Sequence, residues 1–267
     1  MSNVKYISKI LVCLLMAISL LLTGCNVEDG PVDGQDGDTQ TGDVAVDAAP
    51  KKRVAITFDD GPHNKRTQEI VDELDKYGFT ATFFVVGNRV DGTEYNGSKT
   101  IKYIVEHGHE VGIHGYTHSK DRYYDRCTDE EYAFEISKTA EVIHSQVPDY
   151  DIKLMRPVGG YITSERVSSS EYSVIMWNVD SFDYEYAYFP DTSLSEAEQK
   201  ERVDAIVNNV MSKVNDGSII LMHDLYLSTS HATAIILEKL YNEGYEVVSV
   251  SELLGDPRPG VKYSSAN

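Results

Sequence analysis

Runs of apolar residues alternate with amphipathic segments from residue 51 onward, and this alternation predicts strands followed by helices. In the first such pair, an apolar run precedes Ile70, Val71 and Leu74 at helical spacing. Gly78 then stands where a helix would end. The predicted strands cover residues 54–58, 80–86, 110–113, 174–177, 218–222 and 245–250.

Glycines close three further helical stretches directly before a predicted strand, at Gly108, Gly217 and Gly244. Thr128 and Glu131 form a capping-box pattern that predicts a helix to about residue 145. Repeated strand–helix units over roughly 200 residues favour an α/β fold with a parallel sheet, either open or closed into a barrel. Both architectures place the ligand site at the carboxyl ends of the strands.

The amino-terminal segment has the pattern of an export signal, because Lys5 and Lys9 precede an apolar run over residues 10–22. The run is short for a membrane-spanning helix. It ends in Leu-Thr-Gly-Cys at residues 22–25, which resembles the lipobox of bacterial lipoproteins. We therefore expect a lipoprotein signal peptide over residues 1–25, a lipid on Cys25 and a protein on the extracellular face of the cell membrane. A plain secretory signal and an uncleaved anchor are the alternatives.

Charge separates the next segment from the rest of the chain. Residues 26–50 contain seven acidic and no basic residues and few large apolar ones, which predicts a solvated linker. The total net charge is −19, of which the linker carries −7 and residues 1–25 carry +2, so −14 remains on residues 51–267, the predicted catalytic domain. A domain this acidic is a poor nucleic-acid binder, because phosphate contacts require clustered Lys and Arg. Cys127 has no partner in the mature chain, so no intramolecular disulfide is expected.

Residues with catalytic chemistry follow three of the predicted strands. Asp59 and Asp60 follow the first, His114 and His118 the third, and His223 the fifth. Neighbouring side chains at a strand end point in different directions, so the two aspartates should have different roles. Two imidazoles and one carboxylate form a three-ligand metal set that leaves a position open for water, as catalytic sites do. Taken alone, each segment is also compatible with a solvated turn or a structural histidine.

These segments resemble, in order, the motifs of the NodB-like polysaccharide deacetylases, carbohydrate esterase family 4. The resemblance spans about residues 51–254. It implies a distorted (β/α) barrel and a hydrolase that removes N-acetyl groups from peptidoglycan or a chitin-like N-acetylglucosamine polymer. The products are acetate and a free amine. The five motifs lie at residues 57–62, 114–119, 156–160, 177–184 and 221–224.

The resemblance also implies a divalent transition metal, zinc in the first place, with cobalt, nickel or manganese as alternatives. Its ligands would be Asp60, His114 and His118. Asp59 would be the general base, and Arg156 would hold it in place through an ion pair.

Five further residues receive roles from the same resemblance. His223 would protonate the departing sugar nitrogen, and Asp183 would orient His223 and raise its pKa. The backbone N–H of Gly159 would stabilise the oxyanion. Leu221 and Tyr184 would line an apolar notch for the acetyl methyl group.

The chain departs from the family pattern at the pocket wall. The third motif usually has a second proline and then an aromatic residue, where this chain has Val158 and Gly159, and the fourth usually has tryptophan, where Tyr184 stands. Four tyrosines are candidates for stacking on sugar rings, or are ordinary surface residues: Tyr123, Tyr124, Tyr186 and Tyr188.

Two other functions use the same residues or the same scaffold. An esterase that removes O-acetyl groups from a xylan-type polysaccharide would share the whole site. A non-catalytic glycan-binding lipoprotein would have lost the base, a ligand or the acid, whereas all of these remain here. The expected partners are a polysaccharide, with peptidoglycan first, and the membrane through the lipid anchor. We expect a monomer and no nucleic acid.

Overall fold

A computed structural model describes residues 51–92, 96–186 and 193–267. The predicted signal peptide and linker, with Cys25, and Tyr188 lie outside these residues. The described strands are β1 Lys52–Asp59, β2 Thr82–Val85, β3 Glu110–Ile113, β4 Leu154–Met155, β5 Ser173–Ile175, β6 Val179–Asp180, β7 Ile219–His223, β8 Tyr245–Val247 and β9 Lys262–Tyr263. The described α-helices are α1 Arg66–Asp75, α2 Gly87–Val90, α3 Gly97–Glu106, α4 Asp129–Gln146, α5 Ser164–Ser168, α6 Glu196–Met211, α7 Leu227–Asn242 and α8 Val250–Leu254.

The strands form one parallel sheet in the order β6-β7-β1-β2-β3-β4-β5-β9, and β8 pairs with the start of β1. The six predicted strands are confirmed as β1, β2, β3, β5, β7 and β8. The sequence did not reveal β4, β6 and β9. Each has two residues, which is too short for an apolar pattern to stand out.

The sheet curls into a distorted barrel. Residues 176–178 alone connect β5, near one end of the strand order, to β6 at the other end. A connection of this length spans at most about 14 Å, so the two ends of the sheet lie close together. An isolated bridge between Ser218 and Ser265 also joins the chain after β9 to the start of β7. The predicted distorted α/β barrel is confirmed, including the curvature that the apolar pattern alone could not decide.

Strand β1 shows how the sequence distributes side chains between the two faces of the sheet. Ile56 and Phe58 belong to the large core, and Ala55, Thr57 and Asp59 alternate with them and face the barrel interior. Both faces are buried, as is usual for parallel strands. A small apolar cluster fills the interior below the site and contains Ala55, Phe84, Leu154, Ile175, Ile219 and Val250.

Helix α4 begins with the predicted capping box. The Thr128 hydroxyl accepts from the amide of Glu131 at 3.2 Å, and the Glu131 carboxylate accepts from the amide of Thr128 at 3.0 Å. Gly78 follows α1 with φ +64°, the left-handed conformation that suits a glycine after a helix end. Among the described helices, none combines the length and apolar composition needed to cross a membrane.

Candidate active site

A pocket of about 710 Å³ opens at the carboxyl ends of the strands. Arg156 and Asp183 lie behind its wall and are fully buried. Eight of the predicted site residues line it: Asp59, Asp60, His114, His118, Gly159, Tyr184, Leu221 and His223. Side chains separated by up to 164 positions along the chain therefore meet at one edge of the sheet, as the strand-end argument predicted.

Two of the candidate metal ligands lie on strained backbone. Asp60 has φ +72° directly after β1, and His118 has φ +52° at the end of the loop after β3. For residues other than glycine this conformation costs on the order of 1–3 kcal/mol, and the surrounding structure must hold it in place. In the case of Asp60, the turn breaks the strand alternation and brings the carboxylate to the two histidines.

The side chains of Asp60, His114 and His118 converge on one point. Oδ1 of Asp60 lies 2.8 Å from Nε2 of His118 and 3.4 Å from Nε2 of His114. All three ligand atoms lie within 4.8 Å of one another. Nδ1 of His114 lies 2.8 Å from the carbonyl oxygen of Arg156. Because a carbonyl only accepts, Nδ1 carries the proton and Nε2 offers its lone pair to the site.

The electrostatics of this cluster fit a cation. Oδ1 of Asp60 is buried and accepts no hydrogen bond of normal geometry within the described residues. Burial raises the pKa of Asp60, but the imidazoles of His114 and His118 outweigh it and hold the pKa well below its usual value. Burial lowers the pKa of His114, yet Asp59 and Asp60 raise it above its usual value. Two nitrogens and one carboxylate oxygen in a field that favours positive charge suit a divalent transition metal.

Asp59 faces the same cluster from the barrel interior. Its Oδ1 accepts from Nη1 of Arg156 at 2.9 Å, and its Oδ2 lies 3.6 Å from Nε2 of His114. Arg156 also donates to the Thr57 hydroxyl at 2.6 Å, and its guanidinium stacks 4.3 Å above the Phe84 ring. The carboxylate is therefore fixed through one oxygen, and the other is free to accept a proton beside the ligand set.

His223 and Asp183 form a second hydrogen-bonded pair at the pocket, and His223 lies on the strand next to the one that ends in Asp59. The Asp183 carboxylate lies 2.7 Å from Nδ1 of His223 and accepts from the His223 amide at 2.7 Å and from the Thr229 hydroxyl at 2.8 Å. Nδ1 thus carries a proton, and the ring position is fixed. Burial lowers the pKa of His223, but the charge and hydrogen bond of Asp183 raise it to about 10. His223 is an imidazolium at neutral pH and can donate a proton.

The pocket wall at Gly159 contains an aromatic ring from another position. Gly159 has φ +62°, and a Cβ there would lie 3.0 Å from the ring of Tyr161. Tyr161 stacks on Tyr123 with a centroid distance of 4.7 Å, and both rings line the pocket. Tyr161, two residues after Gly159, thus supplies an aromatic ring at this part of the pocket wall. Tyr184 stands edge-on to His223 at 5.6 Å.

Three of the candidate stacking tyrosines lie within the described residues, and their environments differ. Tyr123 lines the pocket. The interpretation of Tyr124 is wrong, because this ring is fully buried and packs edge-on against Tyr132 at 5.1 Å. Tyr186 packs against the large core and lies beside Arg202. Tyr123 and Tyr124 are adjacent in a polar loop, and the sequence alone does not show which of the two rings is buried.

Two carboxyl groups of the site had no predicted role. Asp180 lines the pocket and accepts from the amide of Phe182 at 2.8 Å, and burial raises its pKa. Asp224 is 1% exposed, accepts a hydrogen bond from Thr67, and lies directly against Gly61 in the turn after β1. Burial raises the pKa of Asp224 to about 7. The sequence contained one signal for Asp224, namely its position directly after the buried strand β7.

The fold and the site define the class of protein: an α/β barrel with a candidate metal-ligand set at the carboxyl ends of its strands. Comparison with known proteins agrees with this class. The family model "Polysaccharide deacetylase" matches residues 47–172. The peptidoglycan-N-acetylmuramic acid deacetylase PdaC of Bacillus subtilis is 35% identical over 203 residues, which are 76% of this chain and 39% of that protein.

For two further relatives, the matched region covers most of the relative's own length. A peptidoglycan-N-acetylglucosamine deacetylase of Bacillus cereus is 32% identical over 210 residues, which are 76% of this chain and 89% of that protein. The structure of a family 4 acetyl xylan esterase from Clostridium thermocellum with a cobalt ion superposes with a TM-score of 0.67 at 30% identity. That match covers 80% of this chain and 98% of the esterase chain. The chain belongs to the polysaccharide deacetylase family, which confirms the resemblance stated from its motifs.

Proposed function

We propose that this protein is a metal-dependent N-deacetylase that acts on peptidoglycan. The observation that carries the proposal is the presence, within one pocket, of a fixed carboxylate beside the ligand set and a protonated imidazole held by its own carboxylate. The two relatives named as peptidoglycan deacetylases support the substrate. The chain corresponds to about two fifths of the length of PdaC, so activity and substrate are proposed for this chain in its own right.

Asp60, His114 and His118 would hold the metal, with zinc as the first candidate and cobalt, nickel or manganese as alternatives. When bound, a divalent cation supplies a Lewis acid that lowers the pKa of water and polarises a carbonyl oxygen. The imidazole of His114 is oriented for this role by the carbonyl of Arg156.

The remaining steps belong to side chains of this pocket. Asp59 takes a proton from the attacking water through Oδ2, while Arg156 holds Oδ1. The N–H of Gly159 would stabilise the negative charge that develops on the acetamide oxygen. His223 then donates its proton to the sugar nitrogen as the C–N bond breaks. Acetate leaves, and the sugar retains a free amine.

The charge state of His223 suits the departure of an amine. An amine must be protonated before it can depart, and the Asp183 pair keeps His223 protonated up to a pH of about 10. An O-acetyl polysaccharide esterase remains the second candidate, supported by the similarity to the acetyl xylan esterase structure. A non-catalytic glycan-binding protein is disfavoured, because the base, the ligands and the acid are all present.

The proposed location is the extracellular face of the cell membrane, with a lipid on Cys25 and a monomeric protein. The support is the lipobox pattern at residues 22–25 and the acidic linker after it. Replacing Cys25→Ser should move the protein from the detergent-rich to the aqueous phase in a detergent partition of whole cells. Unchanged partitioning of the variant would remove the support for lipidation.

The function is tested by acetate release from N-acetylglucosamine oligomers, peptidoglycan and acetylated xylan, with metal removed and then restored. We expect metal-dependent release, with peptidoglycan ahead of xylan. Asp59→Asn should abolish turnover while metal remains bound, and Asp151→Asn, a change at an exposed carboxylate, should retain full activity. Full activity of Asp59→Asn would contradict the base assignment, and faster release from xylan would favour the esterase.

A further inference from the structure

A buried carboxylate outside the pocket contacts the loop that carries two of the candidate metal ligands. Glu135 lies on α4 and is 1% exposed. Its Oε2 accepts from the amides of Tyr116 at 2.6 Å and Thr117 at 2.8 Å. Its Oε1 accepts from the Thr117 hydroxyl at 2.6 Å and from Nη1 of Arg122 at 3.3 Å. One side chain therefore receives three hydrogen bonds from the residues between His114 and His118.

The loop is held from its opposite side by the start of α2. The carbonyl oxygen of Gly115 accepts from the amide of Gly87 at 2.9 Å, and that of Tyr116 accepts from the amide of Asn88 at 3.0 Å. Glu135 thus binds amide groups of a segment whose carbonyl groups bind α2. Backbone amides that are removed from water and outside regular secondary structure need an acceptor, and Glu135 provides it.

The conformation that these contacts maintain is unfavourable for the isolated chain. Gly115 has φ +80°, and a Cβ there would lie 2.6 Å from the hydroxyl oxygen of Tyr124 and 3.1 Å from Oε2 of Glu135. His118 has φ +52°. A segment with two left-handed residues keeps its shape only where its surroundings determine it. Here the shape of the loop fixes the separation between the two imidazoles.

We propose that Glu135 is a positioning residue that sets the geometry of His114 and His118 and thereby the affinity of the site for its metal. Glu135 is not one of the three candidate ligands, and it acts through the backbone of the loop. This inference rests on the proposed metal site. It assigns to α4, a helix without any ligand of its own, control over the retention of the metal.

The test is metal binding by the full-length protein in detergent, after removal of metal and without any substrate. Glu135→Gln keeps the size of the side chain but offers one acceptor oxygen, and its NH₂ group would face hydrogen-bond donors. We expect the Kd for Zn²⁺, measured by competition with a chromophoric chelator, to increase about 10- to 100-fold, as for other groups that orient metal ligands. The visible spectrum of bound Co²⁺ should change as well.

A matched control separates positioning from general stability. Thr128→Ala removes the N-cap of the same helix without touching the loop, so it should lower the melting temperature and leave the Kd unchanged. Thr117→Val removes one of the hydrogen bonds to Glu135, and should raise the Kd less than Glu135→Gln does. This second variant keeps the test decisive if Glu135→Gln does not fold.

The possible results point to different conclusions. A wild-type Kd in both Glu135→Gln and Thr117→Val overturns the positioning role, as does an equal increase in Thr128→Ala. If the wild-type protein binds no metal and His118→Ala behaves identically, the metal site itself is contradicted, and this inference with it. Metal binding by the wild type together with unchanged affinity in the Glu135 and Thr117 variants contradicts the role of Glu135 alone.

Discussion

Arg156 places a permanent positive charge inside the barrel, where it has no contact with solvent. Its donors reach Thr57, Asp59 and the carbonyl oxygens of Ile175 and Met176 at 2.6–3.1 Å. A buried charge is tolerated when it is paired and its donors are satisfied. The same contacts connect β1, the residue after β4 and the end of β5, so the residue that positions the candidate base also links three strands of the barrel.

The substitution Arg156→Met should therefore lower both the free energy of unfolding and the catalytic activity. The buried Asp59 carboxylate would lose its charged partner, and such losses destabilise by about 3–5 kcal/mol. The measurement is denaturant unfolding, with Arg258→Met on the exposed carboxyl-terminal segment as the control, which should stay within about 0.5 kcal/mol of the wild type. Equal stability of the two variants would show that the ion pair is dispensable.

The pairing of His223 with Asp183 predicts a pH profile. A proton donor is active while it is protonated, so activity should fall as the pH rises through the raised pKa of His223, at about 10. In Asp183→Asn the charge that opposes the effect of burial is lost. The pKa of His223 should fall, and the high-pH limb of kcat/KM should move to lower pH.

The corresponding measurement is kcat/KM against pH for wild type and Asp183→Asn under saturating metal. Asp180→Asn is an informative comparison, because Asp180 lines the pocket but does not hydrogen-bond to the His223 ring. In Asp180→Asn, the high-pH limb of kcat/KM should lie nearer to that of the wild type than it does in Asp183→Asn. An unmoved limb in Asp183→Asn would mean that another group supplies the proton.

At the scale of elements, the turn after β1 depends on close packing. The Asp224 carboxylate fills the space where a side chain on Gly61 would begin, and a Cβ there would lie 2.3 Å from its oxygens. The turn holds Asp60 toward the histidines, so a shift of Gly61 displaces a metal ligand.

Gly61→Ala should lower the affinity for the metal and the rate of acetate release, because the shifted turn displaces Asp60. Gly78→Ala is the matched control, since Gly78 has φ +64° but nothing within 4 Å of a Cβ. That variant should lose on the order of 1 kcal/mol through backbone strain, and its metal affinity should be unchanged. Calorimetric titration with Zn²⁺ of both variants checks the contrast. Normal affinity in Gly61→Ala would show that the turn adapts.

The elements that the sequence revealed are those with enough length or a clear terminal signal. The apolar run of β7 and the capping box of α4 were sufficient, because each is a local pattern. Strand β4 has two residues and exists through pairing with β3 and β5. Glu135 follows three consecutive acidic residues at positions 129–131, and helical carboxylates in such segments are ordinarily solvent-exposed, so its burial depends on tertiary packing.

Across the whole molecule, the candidate site residues were predictable because they follow strands, and the carboxyl ends of parallel strands meet. The strand order and the curvature were not predictable from the apolar pattern. The position of β9 beside β5 and the short crossing at residues 176–178 reflect contacts between segments distant in sequence. For the same reason the motifs identified Arg156 and Asp183 but not the ring of Tyr161 at the pocket wall.

A metal held by residues from the turn after β1 and the loop after β3 should stabilise the fold as a whole. A ligand at 1,000 times its Kd stabilises the folded state by about 4 kcal/mol. For a domain of this size, that raises the melting temperature by about 8–16 °C. Calorimetry with and without Zn²⁺ measures the effect, and His118→Ala should lose most of it. An equal shift in that variant would indicate binding elsewhere.

Strand β1 pairs with β2 on one side and with β7 on the other, in a register that sets Thr57 opposite both Thr82 and Leu221. The first strand of the domain therefore lacks one neighbour until almost the entire chain is available. A partly synthesised or truncated chain presents an apolar strand edge, which is a template for aggregation. Pairing between such distant segments also makes folding slow. Folding of this domain thus depends on protecting β1 from other chains until β7 becomes available.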